Sequence, residues 1–263
     1  MEAVDMSQGE ASSSPLLTAR AACLMDAESG RILWEKNAHS PLSPASMTKM
    51  MTALLVMEQV ASKKLSLREQ VRVSHRASAV RGSSMRLRIG ERITVRALLT
   101  GLLIASGNDA AIALAEHIAG SVPSFVKRMN VKAVRLGLVN TQFRNPHGLS
   151  VQGHHATAFD MCIIARELTR HTEVLRITSR KQAIIQRSGR SNHRLRNTNT
   201  LLGMYPGVDG LKTGYTPRAK YCLCATAPHP KLGRLIAVVM GTPTKKRRNE
   251  EAAALLAYAD TFT

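Results

Sequence analysis

Apolar and polar residues follow a different pattern at the two ends of the chain than in its middle. Residues 18–26 and 31–35 are strand-like, and they predict a β-hairpin around the turn Glu28-Ser29-Gly30. Residues 208–216, 221–227 and 235–240 predict an antiparallel meander. The middle of the chain has mostly helical apolar spacing. The pattern predicts an α/β (α+β) fold, an antiparallel β-sheet flanked by helices with an inserted all-helical lobe.

Several of the predicted helices have a clear start or a clear apolar face. Residues 50–57 are apolar nearly all round, which is typical of a helix buried between layers. Thr94 is a good N-cap for a helix with a leucine stripe, and a second helix is expected at 109–118. Residues 249–258 are expected to form a closing helix.

These elements predict how the chain is divided. Residues 1–17 are a polar leader that we expect to be disordered. Residues 18–70 and 165–263 are expected to form a sheet-containing α/β lobe, and residues 71–164 a helical lobe. The 263 residues can bury a large core, so we expect one unit with its site in the groove between the lobes.

Ser46-Met47-Thr48-Lys49 begins the buried helix, just after a turn at Pro44. Residues three apart on a helix share a face, so the Ser46 hydroxyl and the Lys49 amine can meet. Serine is a poor nucleophile unless a base takes its proton. Lys49 can be that base only if burial and a like charge, such as Lys212, lower its pKa from about 10.4. Taken alone, the pattern also fits an N-capping serine with a solvated lysine.

Two further short segments carry polar groups that could join this pair. Ser106-Gly107-Asn108 separates two apolar helices and could place two polar side chains in a cleft, or could simply end one helix and begin the next. Lys212-Thr213-Gly214 lies on a predicted strand, where the glycine would let a ligand backbone approach closely. The alternative for this segment is an edge-strand lysine beside a turn.

The three segments form the S-x-x-K, S-x-N and K-T-G set of penicillin-binding proteins and class A β-lactamases. Over roughly residues 18–243 the sequence resembles the low-molecular-mass penicillin-binding proteins, specifically the serine-type D-alanyl-D-alanine carboxypeptidases. Further segments that carry the resemblance are Gly82-Ser83-Ser84-Met85, Asn145-Pro146-His147-Gly148-Leu149, Ala156-Thr157-Ala158-Phe159-Asp160-Met161 and Asn197-Thr198-Asn199. The resemblance implies a β-lactamase/transpeptidase-like fold.

The resemblance also implies roles for individual residues. Ser46 would be the acylated nucleophile and Lys49 its general base. Ser106 would relay a proton, and Asn108 would bind both the substrate and Lys49. Lys212 and Thr213 would bind the substrate carboxylate.

Gly214 and Tyr215 complete the implied binding strand. The backbone N–H groups of Ser46 and Tyr215 would form the oxyanion hole. Relatives often have histidine at the position of Tyr215. Because the proposed donor is a backbone group, we expect this difference to change the rim of the site and leave the chemistry intact.

The implied reaction is the trimming of peptidoglycan stem peptides that end in D-Ala-D-Ala, through an acyl-enzyme that β-lactam antibiotics also form. No metal and no cofactor is expected. One alternative is a class A-like β-lactamase, which needs a glutamate to activate water; Glu167 and Glu173 are no convincing match. A second alternative is a wall-binding protein without activity. The presence of the expected residue at every motif position argues against it.

Composition adds two expectations. The net charge of +19 predicts electrostatic attraction to anionic wall polymers or a membrane surface, and Lys245-Lys246-Arg247-Arg248 is the densest basic run. Only 3% of residues are aromatic and no recognition motif is present, so no nucleic acid is expected as a partner.

The cysteines and histidines point to structural roles. The four cysteines are expected to be buried apolar residues, although a bridge from Cys23 to Cys222 or Cys224 stays open. His147, His154 and His155 are expected to be structural rather than metal ligands.

The family resemblance implies an extracytoplasmic location, in the periplasm or at the outer face of the cytoplasmic membrane. No signal peptide is recognised in this chain, and no apolar run has the length of a membrane span. Many relatives have a C-terminal β-domain and an amphipathic anchoring helix, for which this chain shows no match.

Overall fold

The structure is a computed structural model that describes residues 14–187, 189 and 191–263. The described strands are β1 (Ala21–Asp26), β2 (Ile32–Lys36), β3 (Gln70–Arg72), β4 (Arg92–Thr94), β5 (Gln182–Ile185), β6 (His193–Arg196), β7 (Gly210–Thr216), β8 (Lys220–His229) and β9 (Gly233–Thr242). The described α-helices are α1 (Lys49–Ala61), α2 (His75–Ala79), α3 (Val95–Ile104), α4 (Asn108–Ala119), α5 (Val122–Arg135), α6 (Ala158–Thr169), α7 (Thr172–Thr178) and α8 (Lys245–Tyr258).

Five strands form one antiparallel sheet in the order β2-β1-β9-β8-β7. This confirms the predicted fold, including the N-terminal hairpin and the C-terminal meander. The N-terminal hairpin joins the meander because β1 pairs with β9 along its whole length. Strand β7, which carries Lys212 and Thr213, lies at one edge of the sheet.

Both faces of the sheet are buried, because successive side chains along each strand point to opposite faces and both sets are apolar. In β1, Cys23 and Met25 belong to the larger core, which includes residues of α1 and α6, whereas Leu24 belongs to a smaller core beneath α8. In β9, Val238 and Val239 divide in the same way. The sheet is therefore the middle of three layers, with α8 on one side and the remaining helices on the other.

Two small β-ribbons were not expected from the sequence. Strands β3 and β4 pair inside the predicted helical region, and strands β5 and β6 form a hairpin that packs on α3. Strands of three or four residues are too short for the alternation of apolar and polar residues to be recognised. The contact between the hairpin and α3 joins two segments that were assigned to different lobes, so the division at residues 70 and 165 stays a prediction.

Helix boundaries differ from the predictions at both ends of the chain. Residues Ala45–Thr48 form a 3₁₀ turn, and the α-helix begins only at Lys49. The last helix begins at Lys245 rather than 249, because the Thr244 side chain accepts a hydrogen bond from the Arg247 N–H at 3.1 Å. A basic first turn gave no helix-start signal, since acidic residues are favoured there.

The expectation of a disordered leader stays a prediction, whereas the expectation for the cysteines can be compared with the structure. Residues 1–13 of the leader lie outside the described residues; beyond them, the Trp34 indole donates to Ser14 Oγ at 2.8 Å. The four cysteines are buried and free, as expected. Among the described helices, none combines the length and hydropathy needed to cross a bilayer.

Candidate active site

The 3₁₀ turn that precedes α1 places Ser46 beside Lys49. The Lys49 Nζ lies 3.0 Å from the Ser46 Oγ, so the three-residue spacing brings the two groups together although the turn is tighter than an α-helix. Ser46 is half-buried, whereas Lys49 has no exposed surface. Ser46 is therefore partly open to solvent, while the amine behind it is shielded from water.

Three elements hold the Lys49 amine. Besides Ser46, its Nζ donates to the Asn108 Oδ1 and to the backbone carbonyl of His147, both at 2.7 Å. Burial lowers the Lys49 pKa well below its usual value, the charge of Lys212 lowers it further, and Asp109 opposes the shift. A lysine with a lowered pKa is the form that can accept a proton near neutral pH.

The second segment lies at the start of α4. Asn108 is its first residue, and the Asn108 Nδ2 donates to the Arg81 carbonyl at 2.7 Å, which fixes the side chain with its oxygen toward Lys49. Ser106 is buried in the left-handed region, with φ of 62°. Its hydroxyl has no hydrogen-bond partner within the described part of the chain, so the structure does not join Ser106 to Lys49 or Lys212.

The third segment is strand β7, which packs against the 3₁₀ turn that contains Ser46. Lys212 is buried and its Nζ donates to the Thr213 carbonyl at 2.9 Å, while the Thr213 and Thr198 hydroxyl oxygens are 2.7 Å apart. Burial and then the charge of Arg248 lower the Lys212 pKa to about 7. The Tyr215 side chain is 52% exposed at the rim, with its ring centroid 4.5 Å from that of Tyr221.

A glycine at position 214 is needed because the strand packs closely on another part of the chain. A Cβ at this position would lie 3.1 Å from the Ala45 Cβ and 3.2 Å from the Ser46 nitrogen. The glycine lets β7 approach the chain's own 3₁₀ turn, which brings the strand next to the Ser46 backbone N–H. The expected close approach of a ligand backbone remains a prediction.

The structure brings together a half-buried serine, a fully buried lysine 3.0 Å from its hydroxyl and a second buried lysine on β7, an arrangement that suits acyl transfer. The two glutamates considered for water activation are engaged elsewhere. The Glu167 carboxylate lies 3.0 Å from Arg170, and that of Glu173 lies 3.2 Å from Arg96. In the described ranges, no cluster of side chains suited to a metal ion is found.

Comparison with known proteins identifies the family. A family model described as D-alanyl-D-alanine carboxypeptidase matches residues 8–244. The chain belongs to the D-alanyl-D-alanine carboxypeptidase family. It is 45% identical over 241 residues to D-alanyl-D-alanine carboxypeptidase DacF of Bacillus subtilis, covering 92% of this chain and 62% of that protein. It is 40% identical to DacC of Escherichia coli, covering 95% of this chain and 63% of that protein.

Solved structures of similar proteins support the same family membership. The chain superposes with a TM-score of 0.88 on D-alanyl-D-alanine carboxypeptidase DacD from Francisella tularensis, at 31% identity over 94% of this chain and 71% of that one. Penicillin-binding protein 5 from Haemophilus influenzae gives a TM-score of 0.87 at 38% identity, covering 94% of this chain and 72% of that one. The chain spans about six tenths of the length of the first curated relatives it matches.

One residue near the site of this carboxypeptidase-family chain was missed by the sequence analysis. Arg248 is buried although its neighbours Lys245, Lys246 and Arg247 are exposed, and its guanidinium donates to the Asn249 Oδ1 at 2.7 Å and 3.0 Å. In the sequence it was part of a basic run interpreted as a source of attraction to polyanions. Nothing within the four-residue run indicates that one cation faces inward. The start of α8, which would give the direction of each side chain, was predicted four residues too late.

The sequence analysis expected His154 to be structural, and in the structure this histidine supports the loop behind Lys49. The His154 Nδ1 accepts from the Arg144 N–H at 3.0 Å, which makes Nε2 the protonated nitrogen, and Nε2 donates to the Thr48 Oγ1 at 2.8 Å. The Thr52 hydroxyl donates to the Pro146 carbonyl at 2.7 Å. His154 therefore ties the loop that carries the His147 carbonyl to the residue next to Lys49.

This histidine predicts acid sensitivity. Burial, then His155 and Arg144, lower the His154 pKa from 6.5 to about 4. The unfolded chain then binds more protons than the fold between these values, so the free energy of unfolding falls as the pH drops through that window. We expect His154→Gln to lower the free energy of unfolding at pH 7 but to remove roughly 3 kcal/mol of the acid-induced loss.

The measurement is urea unfolding between pH 7 and pH 4 for wild type, His154→Gln and the control His75→Gln, which changes an exposed histidine. The control should follow the wild-type curve. An equally steep acid loss in His154→Gln would assign the sensitivity to other groups.

Proposed function

We propose that the protein is a serine D-Ala-D-Ala carboxypeptidase that trims peptidoglycan stem peptides through an acyl-enzyme on Ser46, and that β-lactams acylate the same serine. The observation that carries this proposal is the fully buried Lys49 amine 3.0 Å from the Ser46 Oγ, beside a second buried lysine. A serine-type peptidase needs this pairing of a nucleophile with an uncharged base. Membership of the carboxypeptidase family supports the substrate class.

In the first step, the Ser46 Oγ attacks the carbonyl carbon of the peptide bond between the two D-alanines, and its proton passes to the neutral Lys49 amine. The Ser46 and Tyr215 backbone N–H groups stabilise the resulting oxyanion; the close packing of Gly214 on the Ser46 turn supports this placement. Each such donor contributes about 3–4 kcal/mol. Collapse breaks the C–N bond, and the leaving amine takes the proton back from Lys49 through Ser106, which leaves Lys49 neutral again.

In the second step, water attacks the ester carbonyl of the acyl-enzyme and gives a proton to Lys49. The ester C–O bond then breaks, the Ser46 oxygen takes that proton from Lys49, and the shortened peptide leaves. Penicillin forms the same ester when its ring amide opens. Its leaving amine stays attached to the acyl group, so we expect the ester to be released slowly. The ion pairs of Glu167 and Glu173 leave neither glutamate placed for the rapid water activation of a class A-like β-lactamase.

The substrate's terminal carboxylate binds to Lys212, Thr213 and Arg248 in this proposal. Lys212 and Arg248 are buried cations with few local acceptors, and Arg248 is near enough to shift the Lys212 pKa. Asn108 binds the substrate amide through its Nδ2, which has a second N–H besides the one donated to the Arg81 carbonyl. The site's place outside the cytoplasmic membrane is part of the proposal, because the polymer it would cut lies there.

The test is D-alanine release from a peptide that ends in D-Ala-D-Ala, compared with the same peptide carrying a C-terminal amide. Removing the carboxylate should lower kcat/KM roughly 10- to 100-fold, because a charge-assisted contact is lost. Penicillin exposure followed by peptide mass mapping should place one stable adduct on Ser46. No release and no adduct would favour a wall-binding protein without activity, and rapid repeated penicillin hydrolysis would favour a β-lactamase.

The shifted lysine predicts a pH dependence. Since the Lys212 pKa of the free protein is about 7, the ammonium that binds the carboxylate is lost above that pH. We expect kcat/KM for the D-Ala-D-Ala peptide to decline above about pH 7, because kcat/KM reports the free enzyme. Burial is the larger cause of the lowered Lys212 pKa and stays in Arg248→Gln, whereas the charge of Arg248 is removed, so the decline should move to somewhat higher pH while KM rises.

The amide-capped peptide is the control for this experiment, since it has no carboxylate for Lys212 to bind. Its kcat/KM should show no decline in the same range. A decline of equal size for both peptides would mean that a different group titrates.

A further inference from the structure

The hairpin formed by β5 and β6 presents a polar outer face with two arginines. Leu195 is buried against α3, while Arg194 and Arg196 on either side of it are exposed. In the pairing register, Arg194 is opposite Ile184 and Arg196 is opposite Gln182. The alternation along β6 therefore places both guanidiniums on the same outer face.

The charges around this hairpin are strongly segregated in the sequence. Between Glu173 and Asp209 there is no acidic residue, whereas seven residues are Lys or Arg. Two of these basic residues, Arg176 and Arg187, pair with glutamates outside the stretch. Four exposed cations have no ion pair within the described part of the chain: Arg180, Lys181, Arg194 and Arg196.

Ion pairs form at several other places on the surface. Lys132 pairs with Glu58, Arg170 pairs with Glu167 at 3.0 Å, and Arg247 lies 3.6 Å from Glu250. What distinguishes the hairpin region is the absence of acidic residues from 174 to 208, which leaves its cations without acidic neighbours in sequence. We call Arg194 and Arg196 the basic face; Arg180 and Lys181 precede β5 and add positive charge nearby.

The basic face lies next to a groove and to the proposed catalytic cleft. A groove of about 830 Å³ runs between the hairpin and the start of α3, and Arg96 and Arg180 are among its lining residues. After β6 the chain passes directly to Thr198, whose hydroxyl oxygen is 2.7 Å from that of Thr213. A linear ligand held on the hairpin would thus lie beside the carboxylate-binding end of the cleft.

The residue types indicate the chemistry of the ligand. Guanidinium groups match phosphate oxygens with two parallel hydrogen bonds. Arg194 and Arg196 are two residues apart on one strand, which separates their Cα atoms by about 7 Å. Consecutive phosphates joined by a three-carbon polyol can span this distance. The basic face has one exposed apolar neighbour, Ile184, whereas elements that lie on membranes present several apolar side chains.

We propose that the basic face binds a phosphodiester-linked polyol polymer of the cell envelope, and that this contact holds the protein near its polymeric substrate. The binding does not require catalysis, so it can be tested separately from the proposed carboxypeptidase reaction. Charge–charge contacts of this kind weaken steeply with salt.

The test uses the full chain and labelled poly(glycerol phosphate), with affinity measured at several salt concentrations. The variant is Arg194→Gln with Arg196→Gln. The matched control is Lys63→Gln with Lys64→Gln, which removes the same charge from an exposed turn at the end of α1. We expect the hairpin variant to bind about tenfold more weakly, with its salt slope reduced by about one to two, and the control to stay within about twofold of wild type.

Further measurements make the outcome decisive. D-alanine release from a soluble peptide should be the same in wild type and both variants, since neither pair touches the cleft. Replacing both arginines by lysine should restore part of the affinity, because charge returns without the paired geometry. Equal losses in the hairpin and control variants would show that net charge alone binds the polymer. A loss confined to anionic phosphatidylglycerol vesicles would show that the face binds a lipid surface instead.

Discussion

Replacing Ser46 by alanine is expected to abolish the covalent penicillin adduct and to reduce D-alanine release by roughly 10⁴- to 10⁶-fold, because no other group can form the acyl ester. The Ser46 Oγ is the nearest oxygen nucleophile to the buried Lys49 amine, at 3.0 Å. The fold should be little affected, since the side chain is half-buried and loses one hydrogen bond. The measurements are adduct mass after penicillin exposure and the rate of D-alanine release.

The control is Ser62→Ala, which removes a hydroxyl from the exposed far end of the same helix. This variant should label and turn over like wild type. Undiminished labelling of Ser46→Ala would place the nucleophile elsewhere and would contradict the proposed mechanism.

The second large effect is expected for Lys49→Met, which keeps a long apolar stem and removes the base. Acylation by penicillin should slow by about 10²–10⁴-fold, the usual range for a general base. The residual rate should also lose its dependence on the ionisation of Lys49. Stopped-flow acylation across pH 5 to 9 measures both quantities, and thermal unfolding reports whether the loss of the amine disturbs the core.

Lys49→Arg is the companion variant. Arginine restores a cation but cannot give up its proton in a protein, so it should be no better than methionine. Recovery of fast acylation in Lys49→Arg would mean that the residue acts through its charge rather than as a proton acceptor.

The fold and one contact of the site could be predicted from the sequence because they depend on local patterns. The meander follows from alternation in three consecutive strands, and the Ser46–Lys49 contact follows from a spacing of three residues in any helical turn. The contact of Lys49 with the Asn108 side chain could be anticipated from the family resemblance. The contact with the His147 carbonyl could not, because it depends on where a loop nearly a hundred residues away packs.

Features that depend on packing between distant segments were missed or misassigned. Gly148, with φ of 91°, has no space for a Cβ because the Ala45 carbonyl would lie 1.9 Å away. Nothing in the local sequence indicates that contact. Arg248 differs from the basic residues before it only in the direction that α8 gives its side chain. The hairpin of β5 and β6 was not recognised because its alternating residues are arginines, which are less typical of strands than β-branched residues.

The three hydrogen bonds of the Lys49 amine come from a turn, a helix and a loop that belong to separate parts of the chain. Folding therefore places all three hydrogen-bond partners around the proposed proton acceptor. The conformational entropy of these groups is lost on folding, before a substrate binds. Turnover should consequently be limited by bond-making and ester hydrolysis and be insensitive to solvent viscosity, as in a rigid, preorganised catalyst.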